Sequence, residues 1–210
     1  MDAPEQVDVY AESRMTVLDH LKELRLRVIR SLIAVAVGFA VSWTWVESLF
    51  DLLLEPLRRA APHVELAEMH HKDLAEPFFV LLKTAIFSGI FVSVPFILYQ
   101  LWLFIAPGLF DSEKKAALPL VVFSTIFFVL GSSFCYYVVM PEGYGFLLRF
   151  SDSVSTPQLM MTEYLAITTK LLLGFGLVFQ LPVFSMFFAQ VGVLTHRHLI
   201  KFWRYAIVVA

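Results

Sequence analysis

Long stretches of this chain carry no charged residue, and short clusters that carry several separate them. From Thr84 to Phe110 there are 27 uncharged residues, and a helix needs roughly 20 apolar residues to cross a bilayer. That stretch ends in Pro107-Gly108, a turn pair, followed by Asp111, Glu113, Lys114 and Lys115. A second uncharged stretch of 26 residues runs from Ala116 to Pro141. The pattern predicts an all-α, polytopic membrane protein with spans at about 28–46, 78–105, 116–139 and 168–191. A fifth apolar run begins at about 202 and holds nine residues when the sequence stops at Ala210. Nine residues cannot span, so the sequence is expected to be truncated within its fifth span.

Ahead of the first span, Thr16 and Asp19 have capping-box spacing, and Val17, Leu21, Leu24 and Val28 recur at helical intervals. An amphipathic turn or two is therefore expected to lead directly into that span. Residues 1–15 are polar and expected to be disordered. Between spans, 47–76 and 142–165 read as polar interruptions. The first opens with ESLFDLLLEP (Glu47 to Pro56), which predicts a short amphipathic helix lying on the membrane surface. Pro95, Pro119 and Pro182 fall in or at the ends of spans and are expected to bend them into a curved, concave body. The whole of 1–210 reads as a single transmembrane domain.

Composition agrees. The chain is 59% hydrophobic and 16% charged, where a soluble domain is roughly 25% charged. The net charge of −2 gives no sign of nucleic-acid binding, because the basic residues are scattered around apolar runs. The single cysteine, Cys135, lies in an apolar run and reads as a small core residue with no disulfide. The first ten residues are acidic and include no basic residue, so a cleavable signal is not expected. Ten basic residues fall on the side of the N-terminus, the 106–116 loop and the 192–204 turn, against six on the other side. That excess predicts a cytoplasmic N-terminus.

Few residues are candidates for chemistry. Glu23 and Glu113 both fall on the expected cytoplasmic face, where two carboxylates suit a cationic ligand such as arginine. Each also has a plainer reading. Glu23 and Arg27 are an i,i+4 pair in the favourable order, and Glu113 suits the first turn of a helix. Gln180, near the middle of the fourth span, is either a helix-packing hydrogen bonder or a polar spot facing a groove. Pro182 frees a backbone carbonyl one turn earlier, for which Gln180 or water is a candidate donor. His63, His70 and His71 lack the spacing of a metal site. No nucleophile, phosphate-binding or paired-aspartate motif is present, so neither an enzyme nor a bound cofactor is expected.

Several segments together resemble one family, the polytopic TatC subunit of the twin-arginine protein translocase. They are HLKELRLRV (His20 to Val28), EPL (Glu55 to Leu57), PFFVLLK (Pro77 to Lys83), VPFILYQLWLFIAPGLFDSEKK (Val94 to Lys115), GSSFCYYVVMP (Gly131 to Pro141) and FGLVFQLPV (Phe175 to Val183). The resemblance implies six membrane helices in a concave, glove-like arrangement with both termini cytoplasmic. It implies an inner-membrane receptor that binds twin-arginine signal peptides of folded cargo. Single-span A-type and B-type subunits, other copies of the chain and membrane lipid would be its partners, and the proton-motive force would drive transport. By matching position, Glu23 and Glu113 are the signal-binding acids, and Leu21, Arg25, Phe104 and Pro107 shape the same patch. Pro56 matches a position in the first periplasmic loop that is important for transport. Where the family commonly has a glutamate in the fourth span, this sequence has Gln180, which hydrogen-bonds but does not titrate. The alternatives are a secondary transporter of a small solute, an intramembrane enzyme, or an assembly scaffold.

Overall fold

The computed structural model describes residues 17–62, 73–105, 117–152 and 160–190. The expected disorder of 1–15, the 106–116 loop with Pro107 and Glu113, the three loop histidines and the fifth apolar run lie outside the described residues. The described regular structure is helical: α1 (Val17–Trp43), α2 (Val46–Ala60), α3 (Glu76–Ile105), α4 (Ala117–Phe134), α5 (Met140–Asp152), α6 (Met161–Val178) and α7 (Gln180–Gln190). Among the described residues, three helical stretches are long and apolar enough to cross a membrane: Glu76–Ile105, Leu118–Ser151 and Met161–Ala189. The amphipathic lead and the first expected span are one continuous helix, α1. Its uncharged part is only Ser31 to Trp43, 13 residues, or about 20 Å at 1.5 Å per residue.

Prolines shape these helices, though not all those expected to. Pro119 lies near the start of the described part of α4, which runs on as helix to Phe134. Pro95 lies inside α3, which continues through it. Pro182 has the expected effect: the helix breaks at Phe179, between α6 and α7, about one turn before the ring. Pro141 is a bend that was not foreseen. The five residues before Met140, Cys135–Val139, widen into a π-helical turn, and the Met140 N–H bonds the Cys135 carbonyl five residues back. The polar interruption expected at 142–165 is also largely helical, as α5 continues past Pro141 to Asp152.

Helix α2 is amphipathic as expected, but its apolar face is not laid on lipid. Leu53, Leu54 and Leu57 are buried with Val80, Tyr164 and Leu165 in one core cluster. Pro56 sits inside α2 and is fully buried, so it belongs to a packed helix and not to a loop. Without an N–H, Pro56 leaves the Leu52 carbonyl four residues earlier without its helical donor. The Tyr136 hydroxyl donates to that carbonyl at 2.7 Å, and the Tyr164 hydroxyl donates to the neighbouring Leu53 carbonyl at 2.6 Å. Two tyrosines from the spans thereby clamp α2 at its proline.

A second core cluster forms where α3, α4 and α7 meet, with Leu98, Trp102, Leu120 and Phe187 at its centre. Helix α1 stands outside both clusters and packs chiefly along α3. The two backbones touch at Gly38 and Gly89: a Cβ on Gly89 would lie 2.5 Å from the Phe39 nitrogen. Beside them the Ser93 hydroxyl lies 2.7 Å from the Gly89 carbonyl and 2.9 Å from the Ala34 carbonyl across the seam. Small residues at such a crossing let polar backbone groups be shared between helices where no water is present.

Candidate functional site

The first turns of α1 and the last turns of α3 run past each other at one end of the seam. Their closest ring contact is His20 on Phe104, stacked with centroids 4.3 Å apart. Glu23 lies one turn further along α1 and is half-buried. Arg27 grips it from one turn beyond, donating Nε to Oε1 at 3.0 Å and Nη2 to the same oxygen. The pair foreseen from i,i+4 spacing is thus present, and it is more enclosed than a surface pair, with side chains 15% and 20% exposed. Both donors fall on one carboxylate oxygen. The other, Oε2, is buried and has no hydrogen-bond partner.

The remaining expected site residues divide. Leu21 and Arg25 are exposed on the outward side of α1, and Phe104 is partly covered by His20. These positions do collect at the same end as Glu23. Pro107 and Glu113 fall outside the described residues. Pro56 is on α2, which shares its buried face with α3, α5 and α6 at Val80, Tyr144 and Leu165.

Gln180 belongs to a different cluster. It is 3% exposed and donates its amide Nε2 to the Ser124 carbonyl on α4 at 2.9 Å. It is therefore the helix-packing hydrogen bonder that the sequence offered, and its amide reaches across to α4 and not back to the carbonyl freed by Pro182. Trp102 on α3 donates its indole N–H to the Ser124 hydroxyl at 2.8 Å, and its ring meets Phe184 and Phe187 of α7. Ser124 thus ties three helices together through one residue. Gln180 Oε1 is buried without a partner, and an unsatisfied carbonyl in an apolar surround is costly.

Trp102 and Ser124 were not singled out in the sequence, nor was Gln100 on α3, which is also buried. Each is a hydrogen-bonding side chain inside a long uncharged run, which is itself a signal, since such groups in lipid need partners. Among the described residues no cluster of three or more histidine, cysteine or acidic side chains has a metal-binding arrangement.

Interrupted apolar helices, cross-linked by buried hydrogen bonds and preceded by α1, whose first half is charged, make this a polytopic helical membrane protein. A family model described as Sec-independent protein translocase protein (TatC) matches residues 19–210. A Sec-independent protein translocase protein TatC of Desulforapulum autotrophicum is 40% identical over 198 residues, covering 94% of this chain and 73% of that protein. One from Aquifex aeolicus is 36% identical over 198 residues, covering 93% and 81%. A crystal structure of the twin arginine translocase receptor TatC superposes with a TM-score of 0.80 at 36% identity, covering 91% of this chain and 83% of that one. The chain belongs to the TatC family of Sec-independent protein translocase proteins.

Proposed function

We propose that this chain is the receptor subunit of a twin-arginine export system in the inner membrane, with its N-terminus in the cytoplasm. The signal peptide's arginines pair with Glu23 and Glu113. Leu21, Arg25, Phe104 and Pro107 shape the surrounding patch. The peptide's apolar segment lies against the membrane-embedded helices. Single-span A-type and B-type subunits and further copies of the chain assemble around it, and the proton-motive force drives transport of folded cargo.

The observation that carries this reading is the state of Glu23. One carboxylate oxygen is occupied by Arg27 and the other is enclosed without a donor. A carboxylate in that condition favours an incoming group with a positive charge and several N–H donors, which describes a guanidinium. The half-buried setting also raises its value above the 0 to about 1 kcal/mol of a solvent-exposed pair. Site-specific photocrosslinking of a signal peptide to the membrane-embedded chain tests the proposal. A twin-arginine peptide is expected to crosslink to the start of α1 and a twin-lysine peptide to do so weakly. Equal crosslinking of the two defeats the reading.

Gln180 is expected to act after binding. Replacing it with leucine removes the bond to Ser124 and leaves the Glu23 end untouched. We expect Gln180→Leu to impair export of a folded cargo while twin-arginine crosslinking stays at the wild-type level. Equal loss of both would make Gln180 a fold residue only.

A small-solute transporter is the less favoured reading. The described helices enclose an apolar groove of about 260 Å³ lined by residues such as Leu52, Phe87, Phe91 and Val129, with no charged side chain in its wall. Uptake of labelled solute by proteoliposomes would be needed to revive it.

A further inference from the structure

Besides Glu23, the described residues of α3 hold a second enclosed acceptor, Gln100. The contacts along the α1–α3 seam are in antiparallel register: Gly38 on Gly89, Ala34 by Ser93, His20 on Phe104. Between the last two pairs, helical spacing puts Gln100 on the seam face of α3, eleven after Gly89 and seven after Ser93. The α1 turn opposite that level is Glu23 to Arg27. Gln100 is 4% exposed, and its side-chain oxygen Oε1 is buried with no hydrogen-bond partner. Glu23 Oε2 is in the same condition. Two helices thus bring to one level of one seam a carboxylate oxygen and an amide oxygen that both lack a donor. Buried acceptors in native structures are almost always paired, so two acceptors with no donor among the described residues leave a place for an incoming donor.

We propose that Gln100 is the second acceptor for the guanidinium received by Glu23, and that it sets the preference for arginine over lysine. The inference rests on the reading of Glu23 as a signal-binding acid. A guanidinium is planar and carries five N–H donors in a fixed fork, so one edge can serve Glu23 Oε2 while another N–H serves Gln100 Oε1. A lysine ammonium is a compact point charge. It satisfies the carboxylate, but it offers no rigid fork to span two acceptors on different helices. Gln100 is uncharged, so it adds little attraction for cations in general. What it adds is a test of geometry. Access requires the Arg27–Glu23 pair to open or turn, so that Oε2 is uncovered.

The test uses the full chain in nanodiscs and two labelled signal peptides that differ only in twin arginine against twin lysine. Gln100→Met keeps the volume and removes the acceptor, and losing an unpaired buried oxygen is expected to leave stability unchanged or raised. The arginine-to-lysine affinity ratio is expected to fall about tenfold, through weaker binding of the arginine peptide, with lysine binding nearly unchanged. Gln100→Glu keeps an acceptor and is expected to hold the ratio at or above the wild-type value. A wild-type ratio in Gln100→Met overturns the proposal, and that is the result expected if a water fills the space. Should the methionine variant fail to fold, a ratio lost in Gln100→Glu overturns it and a ratio held or raised supports it. Glu23→Gln separates the two levels of inference. If Glu23→Gln binds both peptides like wild type, the underlying reading of Glu23 fails. If it loses binding while Gln100→Met keeps the wild-type ratio, only the role of Gln100 fails.

Discussion

Glu23→Lys is expected to abolish crosslinking of a twin-arginine signal peptide. The substitution acts twice. It removes the carboxylate that the peptide's guanidinium would meet, and it sets an ammonium beside Arg27, which now has no anion to grip. Both cations then repel the incoming arginines in a half-buried setting where screening by salt is weak. Truncating one partner of an enclosed charge pair costs roughly 2 to 5 kcal/mol, which is about 30-fold in affinity or more. Reversal adds repulsion to that loss. Signal binding measured at two ionic strengths supplies the check. The defect should persist in high salt, because a surface effect would be screened away and this one is enclosed. Wild-type crosslinking by Glu23→Lys would remove the first acid from the proposed site.

Gly89→Val is expected to detach α1 from the rest of the protein. Even the first carbon of the new side chain would sit 2.5 Å from the Phe39 nitrogen, 2.8 Å from the Phe39 Cα and 2.9 Å from the Gly38 carbonyl carbon. These are backbone atoms, so no rotamer change relieves the clash, and the helices must separate along their length. Overpacking of this kind costs typically 1–3 kcal/mol, and more when a second branch is added. Helix α1 has little other packing to fall back on. The separation would also lose the bond from Ser93 to the Ala34 carbonyl. Two readouts follow: a lower thermal midpoint in detergent, and loss of an engineered α1–α3 disulfide crosslink near Ala34 and Ser93. Because Glu23 rides on α1, signal binding should fall as well, with every charged residue intact. A wild-type midpoint and crosslink would show that the seam is looser than its geometry indicates.

Much of the architecture was legible because it rests on local rules. An uncharged run of 27 residues has few alternatives to a span, and α3 occupies it from Thr84 to Ile105. The 3.6-residue spacing of Val17, Leu21, Leu24 and Val28 marked the lead of α1, and the break before Pro182 followed from the missing N–H. What escaped was tertiary. The spacing in ESLFDLLLEP marked an apolar face, but not whether lipid or protein would cover it. Its cover comes from Tyr136 and Tyr164, more than 80 residues away in sequence. Helix α5 was hidden by Gly143, Gly145 and the charges of Glu142 and Arg149, which read as loop when packing is unknown. At the site, the Glu23–Arg27 pair was readable from spacing alone. The level of Gln100 was not, because it depends on a helix register fixed by glycines elsewhere. Ser124 likewise meets Gln180 from 56 positions away.

The shortness of the uncharged part of α1 has a consequence for the lipid beside it. A hydrocarbon layer of roughly 30 Å meets a helix whose apolar length is about 20 Å, and Arg30 stands where acyl chains would otherwise begin. The neighbouring leaflets must dimple inward, or Arg30 must stretch its guanidinium out toward the headgroups. Either way, this flank of the protein is ringed by strained lipid that already admits polar groups to a shallow level. Beside α1 the barrier to a polar group would then be lower than beside α3, whose apolar stretch is longer.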